Sequence, residues 1–130
     1  MGMYTELYVK CSLRDDVPSN VIDTLQHMLD NTRPQPELPH HQLFCDATRW
    51  RFMLQCSSYY HLPIATIQLL HDGIGGWYLT GRSDLKNYSG EIDMFFDWIG
   101  PYCEYGGEFM GYSLYEEDAD PVMYHVPEAA

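Results

Sequence analysis

The side chains best suited to chemistry gather between Thr80 and Tyr102, where TGRSDLKNYSGEIDMFFDWIGPY joins a β-prone run to an amphipathic helix. Arg82, Ser83, Lys86, Asn87 and Ser89 stand in the polar stretch just ahead of that helix. A helix N-terminus offers unpaired N–H groups and the positive end of its dipole. These five side chains around one form a candidate site for an anion: a phosphate, a carboxylate or the acidic side chain of a partner. The same residue types also serve structure alone, with Asn87 or Ser89 capping the helix and Arg82 and Lys86 pairing with acids.

Other chemistry-bearing residues are more scattered. Of the six His, His40 and His41 are adjacent in a Pro-rich connector and point in different directions unless the backbone turns, and no metalloprotease spacing is present. His61, His71 and His125 fall on expected strands, where they either converge across a sheet or serve as ordinary half-buried strand residues. Cys11, Cys45, Cys56 and Cys103 are widely separated with no C-x-x-C pair, so they read as small buried hydrophobes. Asp93 and Asp97 lie one helical turn apart, and Glu116, Glu117 and Asp118 crowd a turn; solvated surface is the expectation for both groups. GIGG lacks the Lys and the following helix of a phosphate loop. No catalytic residue, metal ligand or cofactor is assigned.

The elements that position these residues follow from periodicity. YTELYVKCSL alternates Thr5, Leu7, Val9, Cys11 and Leu13 against polar and aromatic positions, the signature of a half-buried strand. Pro18 then opens a helix with Val21, Ile22, Leu25, Met28 and Leu29 on one face. A Pro-rich stretch at about 31–48 reads as an irregular connector. Alternation from Trp50 through Phe52, Leu54 and Cys56 predicts a strand from about Phe52 to His61, after a short helical turn. Ala65 to His71 and Trp77 to Ser83 flank the Gly-rich DGIGG and predict a hairpin. Ile92, Phe95, Phe96 and Ile99 mark a second helix, stopped by Gly100 and Pro101. Phe109 to Tyr115 and Val122 to Val126 predict a second hairpin around EEDAD, and the tail 127–130 is expected to fray. The order β-α-β-β-β-α-β-β gives an α+β fold: a two-layer sandwich of one mainly antiparallel sheet, five or six strands, with two helices on one face.

At 130 residues the chain has the size of a single domain, and 45% apolar with 15% aromatic residues supply a core. Seven basic against nineteen acidic side chains leave −12, a charge that repels nucleic-acid backbones and favours basic protein partners. Neither a membrane span nor a signal-peptide pattern is present, so a cytoplasmic location is expected. Tyrosines such as Tyr59, Tyr78, Tyr112 and Tyr115 exceed what one small core hides, which predicts an open sheet face that meets either solvent or a partner.

SSYY, GRSDLKNYSGEIDMFFDWIGPY and GYSLYEEDADPVMY together resemble a group of small bacterial and phage proteins without assigned activity. The resemblance covers mostly residues 57–124 and implies a microbial or phage origin and a one-domain fold. It transfers no catalytic residue. The function expected from these features is a non-enzymatic protein–protein interaction module. Its surface combines Tyr59, Tyr78, Tyr112 and Tyr115 with the acidic Glu116, Glu117 and Asp118, and its partner is a basic protein or a second copy of the chain. The alternative is a small-molecule or anion-binding domain, or minor enzyme, with its site at Arg82 to Ser89.

Overall fold

The computed structural model describes residues 3–58, 62–74 and 76–128. Strand β1 (Thr5–Leu13) occupies the centre of a five-stranded antiparallel sheet whose order is β2-β3-β1-β4-β5. Its partners are β3 (Trp77–Leu85), paired along the whole of β1, and β4 (Phe109–Tyr115), paired over Thr5 to Val9. The short strands β2 (Gln68–His71) and β5 (Val122–His125) form the two edges. The α+β class and the antiparallel sheet are those the periodicity predicts.

Strict alternation in β1 sends Leu7, Val9, Cys11 and Leu13 into the interior, each no more than 3% exposed. Helix α1 (Ser19–Leu29) adds Val21, Ile22, Leu25 and Met28, and α3 (Glu91–Ile99) adds Ile92, Phe95, Phe96 and Ile99, to the same buried cluster. Burying each such side chain is worth about 1.5–3 kcal/mol, which fixes the strand register and both helical faces together. Pro18 occupies the N-cap of α1, one position before the first helical residue, and its carbonyl accepts from the Val21 and Ile22 N–H groups. Pro101 cannot continue the α-helical ladder, and α3 tightens into a 3-10 turn at Gly100–Tyr102.

Four expectations are corrected. No strand covers Phe52 to Ser58: Trp50–Phe52 is a 3-10 turn, and Ser58 makes only an isolated bridge to Leu62. Trp50, Met53 and Leu54 are buried while Phe52 is 40% exposed, a helical spacing of contacts that the apparent alternation concealed. The 31–48 connector is not wholly irregular, because Leu43–Asp46 forms a helical turn, α2, whose Leu43 is fully buried. Cys45, on α2, is exposed, whereas Cys11 and Cys103 are buried and Cys56 is half-buried. At the other end of the chain, Pro127 packs beside Gly100 and Glu128 beside Gly107, so these tail residues lie against the body.

Candidate functional site

The five residues expected to act together at the strand-to-helix turn are divided by the length of β3. That strand runs two residues beyond the predicted Ser83 and carries the turn past Arg82 and Ser83, which as neighbours on a strand point to opposite faces. Arg82 stands opposite Tyr8 on the open face, with its Nη1 3.8 Å from the Glu6 carboxylate. Ser83 is fully buried and its hydroxyl donates to the Met53 carbonyl at 2.8 Å. Neither reaches the turn. Asn87 takes a left-handed conformation (φ 54°), and its Oδ1 accepts from the Ile92 N–H at 3.0 Å, a structural role at the start of α3.

Lys86 and Ser89 do meet at a cleft of about 500 Å³. One wall is the turn after β3, with Leu85, Lys86, Tyr88, Ser89 and the first helical residue Glu91; Tyr4 flanks it, and the segment from Thr48 to Ser57 supplies the opposite wall. That segment and the Ser58 that follows it are pinned to β3 by three contacts: Ser83 Oγ to the Met53 carbonyl, the Asp84 N–H to the Cys56 carbonyl at 3.0 Å, and Ser58 Oγ to the Asp84 carboxylate at 2.6 Å. Ser83 and Asp84 therefore hold a wall of the site without lining it.

The charges inside the cleft are unusual for so acidic a chain. Arg49 and Lys86 both line it, and neither lies within ion-pairing distance of a carboxylate among the described residues. Lys86 Nζ instead rests 5.9 Å from the Tyr4 ring centroid and 5.8 Å from that of Tyr88, while the Arg49 guanidinium sits 5.5 Å from the Phe52 ring. Cys56 lines the same wall as Arg49. Burial pushes its thiol above the ordinary value, and the nearby Arg49 guanidinium, which favours the thiolate, offsets part of that rise. Arg49, Cys56, Tyr4, Tyr88 and Glu91 escaped the sequence reading, because no local spacing links positions so far apart.

The tyrosines expected to form an interaction surface also separate. Tyr8, Phe109 and Tyr112 stack on the sheet face opposite the core, with ring centroids 6.3 Å and 5.2 Å from Tyr8. Tyr112 donates a hydrogen bond to Glu6, and burial with that bond pushes its pKa up to about 12. Tyr78 stands 39% exposed on the same face, beside Asp72. Tyr115 pairs with the buried Thr5, so alternation turns it to the other face. Glu116 is tied to the Tyr4 backbone N–H, whereas Glu117 and Asp118 are exposed. Tyr59 and His61 lie outside the described residues.

The remaining candidates are drawn into structural contacts. His71 on β2 and His125 on β5 sit at opposite sheet edges and do not converge. Asp97 accepts from His41 Nε2 at 2.9 Å and Asp93 accepts from the Tyr124 hydroxyl, so each carboxylate of α3 fastens a different part of the chain. Among the described residues no three His, Cys, Asp or Glu side chains gather as a metal site requires, and no helix is long and apolar enough to cross a membrane. No protein-family model, curated protein or solved structure matches this chain.

Proposed function

We propose that this protein is a small-ligand-binding domain whose cleft between the Thr48–Ser57 segment and the β3–α3 turn takes a molecule bearing a carboxylate or phosphate group. One observation carries the reading: two of only seven cations in a chain with nineteen acids line the same cleft and pair with none of the described carboxylates. Unpaired cations in a concave, partly desolvated site bind an anion more strongly than the same groups in open solvent. The thiol of Cys56 stays protonated near neutral pH because burial raises its pKa, so the site is read as a binding site and not as a covalent catalyst. Titrating ¹⁵N-labelled protein with acetate and inorganic phosphate tests it. The expected result is saturable shifts at the Arg49, Lys86 and Ser89 amides, weakened at least tenfold in Arg49→Gln/Lys86→Met. Shifts that survive the double substitution overturn it, as does the failure of every carboxylate- or phosphate-bearing small molecule tested to give saturable shifts.

A second reading, a cytoplasmic protein–protein interaction module of bacterial or phage origin, is favoured by the open sheet face. Half-buried Tyr8, Phe109 and Tyr112 stack there, with Leu70, Tyr78 and Met123 exposed. Such a face suits a protein partner, and the overall charge suits a basic one. A photo-crosslinking residue at position 112 checks this reading in the native host. One defined adduct, abolished by Tyr8→Lys, supports it, and an adduct between two copies identifies a dimer. The absence of any adduct counts against this face.

A further inference from the structure

We infer that the ligand of the cleft is a zwitterion of the amino-acid class, its acid group held by Arg49 and Lys86 and its ammonium group by Glu91. This rests on reading the cleft as a ligand site. Glu91 is 5% exposed and lines the cleft. One of its carboxylate oxygens accepts from the Ser89 N–H at 2.6 Å. The other has no hydrogen-bond donor among the described residues, and neither Arg49 nor Lys86 comes within ion-pairing distance of it.

That oxygen is not enclosed by protein but opens onto the cleft, where the burial of the rest of the side chain leaves it only part of its hydration, and the helix dipole at the first residue of α3 favours its negative charge. The two cations nearby do not neutralise it, because the rings of Tyr4, Tyr88 and Phe52 draw them elsewhere. The cleft thus keeps charges of both signs separate and unpaired. A simple anion satisfies the cations but is repelled by Glu91, and a simple cation does the reverse. A molecule with both groups satisfies all three charges at once. Its zero net charge also spares it the repulsion that a chain of net charge −12 exerts on an approaching anion. About 500 Å³ leaves room for more than the two charged ends, so a side chain or spacer fits as well.

The test compares the binding of glycine, β-alanine, 4-aminobutyrate and 5-aminopentanoate with that of acetate, propionate, butyrate and pentanoate, at pH 7, by amide shifts in the full chain. At least one amino acid is expected to bind ten times or more tighter than the plain acid of the same length, with shifts at Lys86, Ser89 and Glu91. Glu91→Gln keeps the oxygen that accepts from Ser89 but removes the charge, and it is expected to erase that preference. If every acid binds as well as its amino counterpart, the ammonium site at Glu91 is refuted while the anion site stands. If neither series gives saturable shifts, the reading of the cleft as a ligand site fails, and the zwitterion with it. Should Glu91→Gln fail to fold, the comparison on the unsubstituted protein decides alone.

Discussion

Tyr112 and Tyr124 show how single residues record their surroundings. Burial is the larger influence on both, followed by a hydrogen bond donated to a carboxylate: Glu6 for Tyr112 and Asp93 for Tyr124. Together these hold each phenol protonated up to about pH 12. A raised folded-state pKa stabilises the fold in full below the unfolded value near 10, and that contribution is lost as pH rises through 12. Absorbance at about 295 nm should show Tyr112 and Tyr124 ionising late, with unfolding setting in over the same range. Tyr112→Phe should remove one late step and leave the other. Cys56 gives a second residue-scale test. Iodoacetamide should label exposed Cys45 well before Cys56 at pH 7, and Cys56 should react faster as pH rises. Arg49→Met removes the influence that lowers the Cys56 pKa and should slow its labelling further; unchanged kinetics would separate the two residues.

Elements meet most closely where β4 passes under β1 and α3. A Cβ built on Gly111 falls 2.2 Å from the Tyr8 carbonyl and 2.6 Å from the Phe96 ring, and the residue holds a positive φ of 155°. Only glycine allows that approach. Gly111→Ala is therefore expected to cost about 2 kcal/mol or more, since the clash involves backbone and a packed ring that cannot yield. Urea unfolding measures it, and a change under about 0.5 kcal/mol would show that β4 shifts freely. The legibility of the elements themselves was uneven, for a physical reason. Thr5–Leu13 could be read because one face is fully buried and alternation is forced upon it, whereas Phe109–Tyr115 was legible as a β-prone run before the acidic turn although a register shift between Phe109 and Gly111 interrupts its alternation. Trp50 to Cys56 misled because apolar residues at 50, 52, 54 and 56 mimic a strand. Edge-on packing of the Trp50 and Phe44 rings, 4.9 Å apart, together with burial of Met53 and Leu54, favours a tight turn there.

At the scale of the whole molecule the governing quantity is charge. Among the described residues only three pairs of oppositely charged side chains come within 4 Å, counting His41 with Asp97, against a net charge of −12. Such a surface repels itself, and screening by salt should relieve it. The thermal midpoint is expected to rise by roughly a few degrees between about 10 mM and 200 mM NaCl. A flat or falling response would mean that favourable local pairs outweigh the net repulsion. Sequence alone determined the antiparallel α+β architecture, the two helical faces and the acidity, because each of these is a sum of local preferences or a matter of counting. It also marked Lys86 and Ser89, which do face the cleft. Tertiary structure decided the rest of the site: two more residues of β3 carried the turn beyond Arg82 and Ser83, and packing of the Thr48–Ser57 segment against that strand brought Arg49 toward Glu91 and Lys86. Those positions are forty residues apart in order of magnitude, and only long-range burial and buried hydrogen bonds join them.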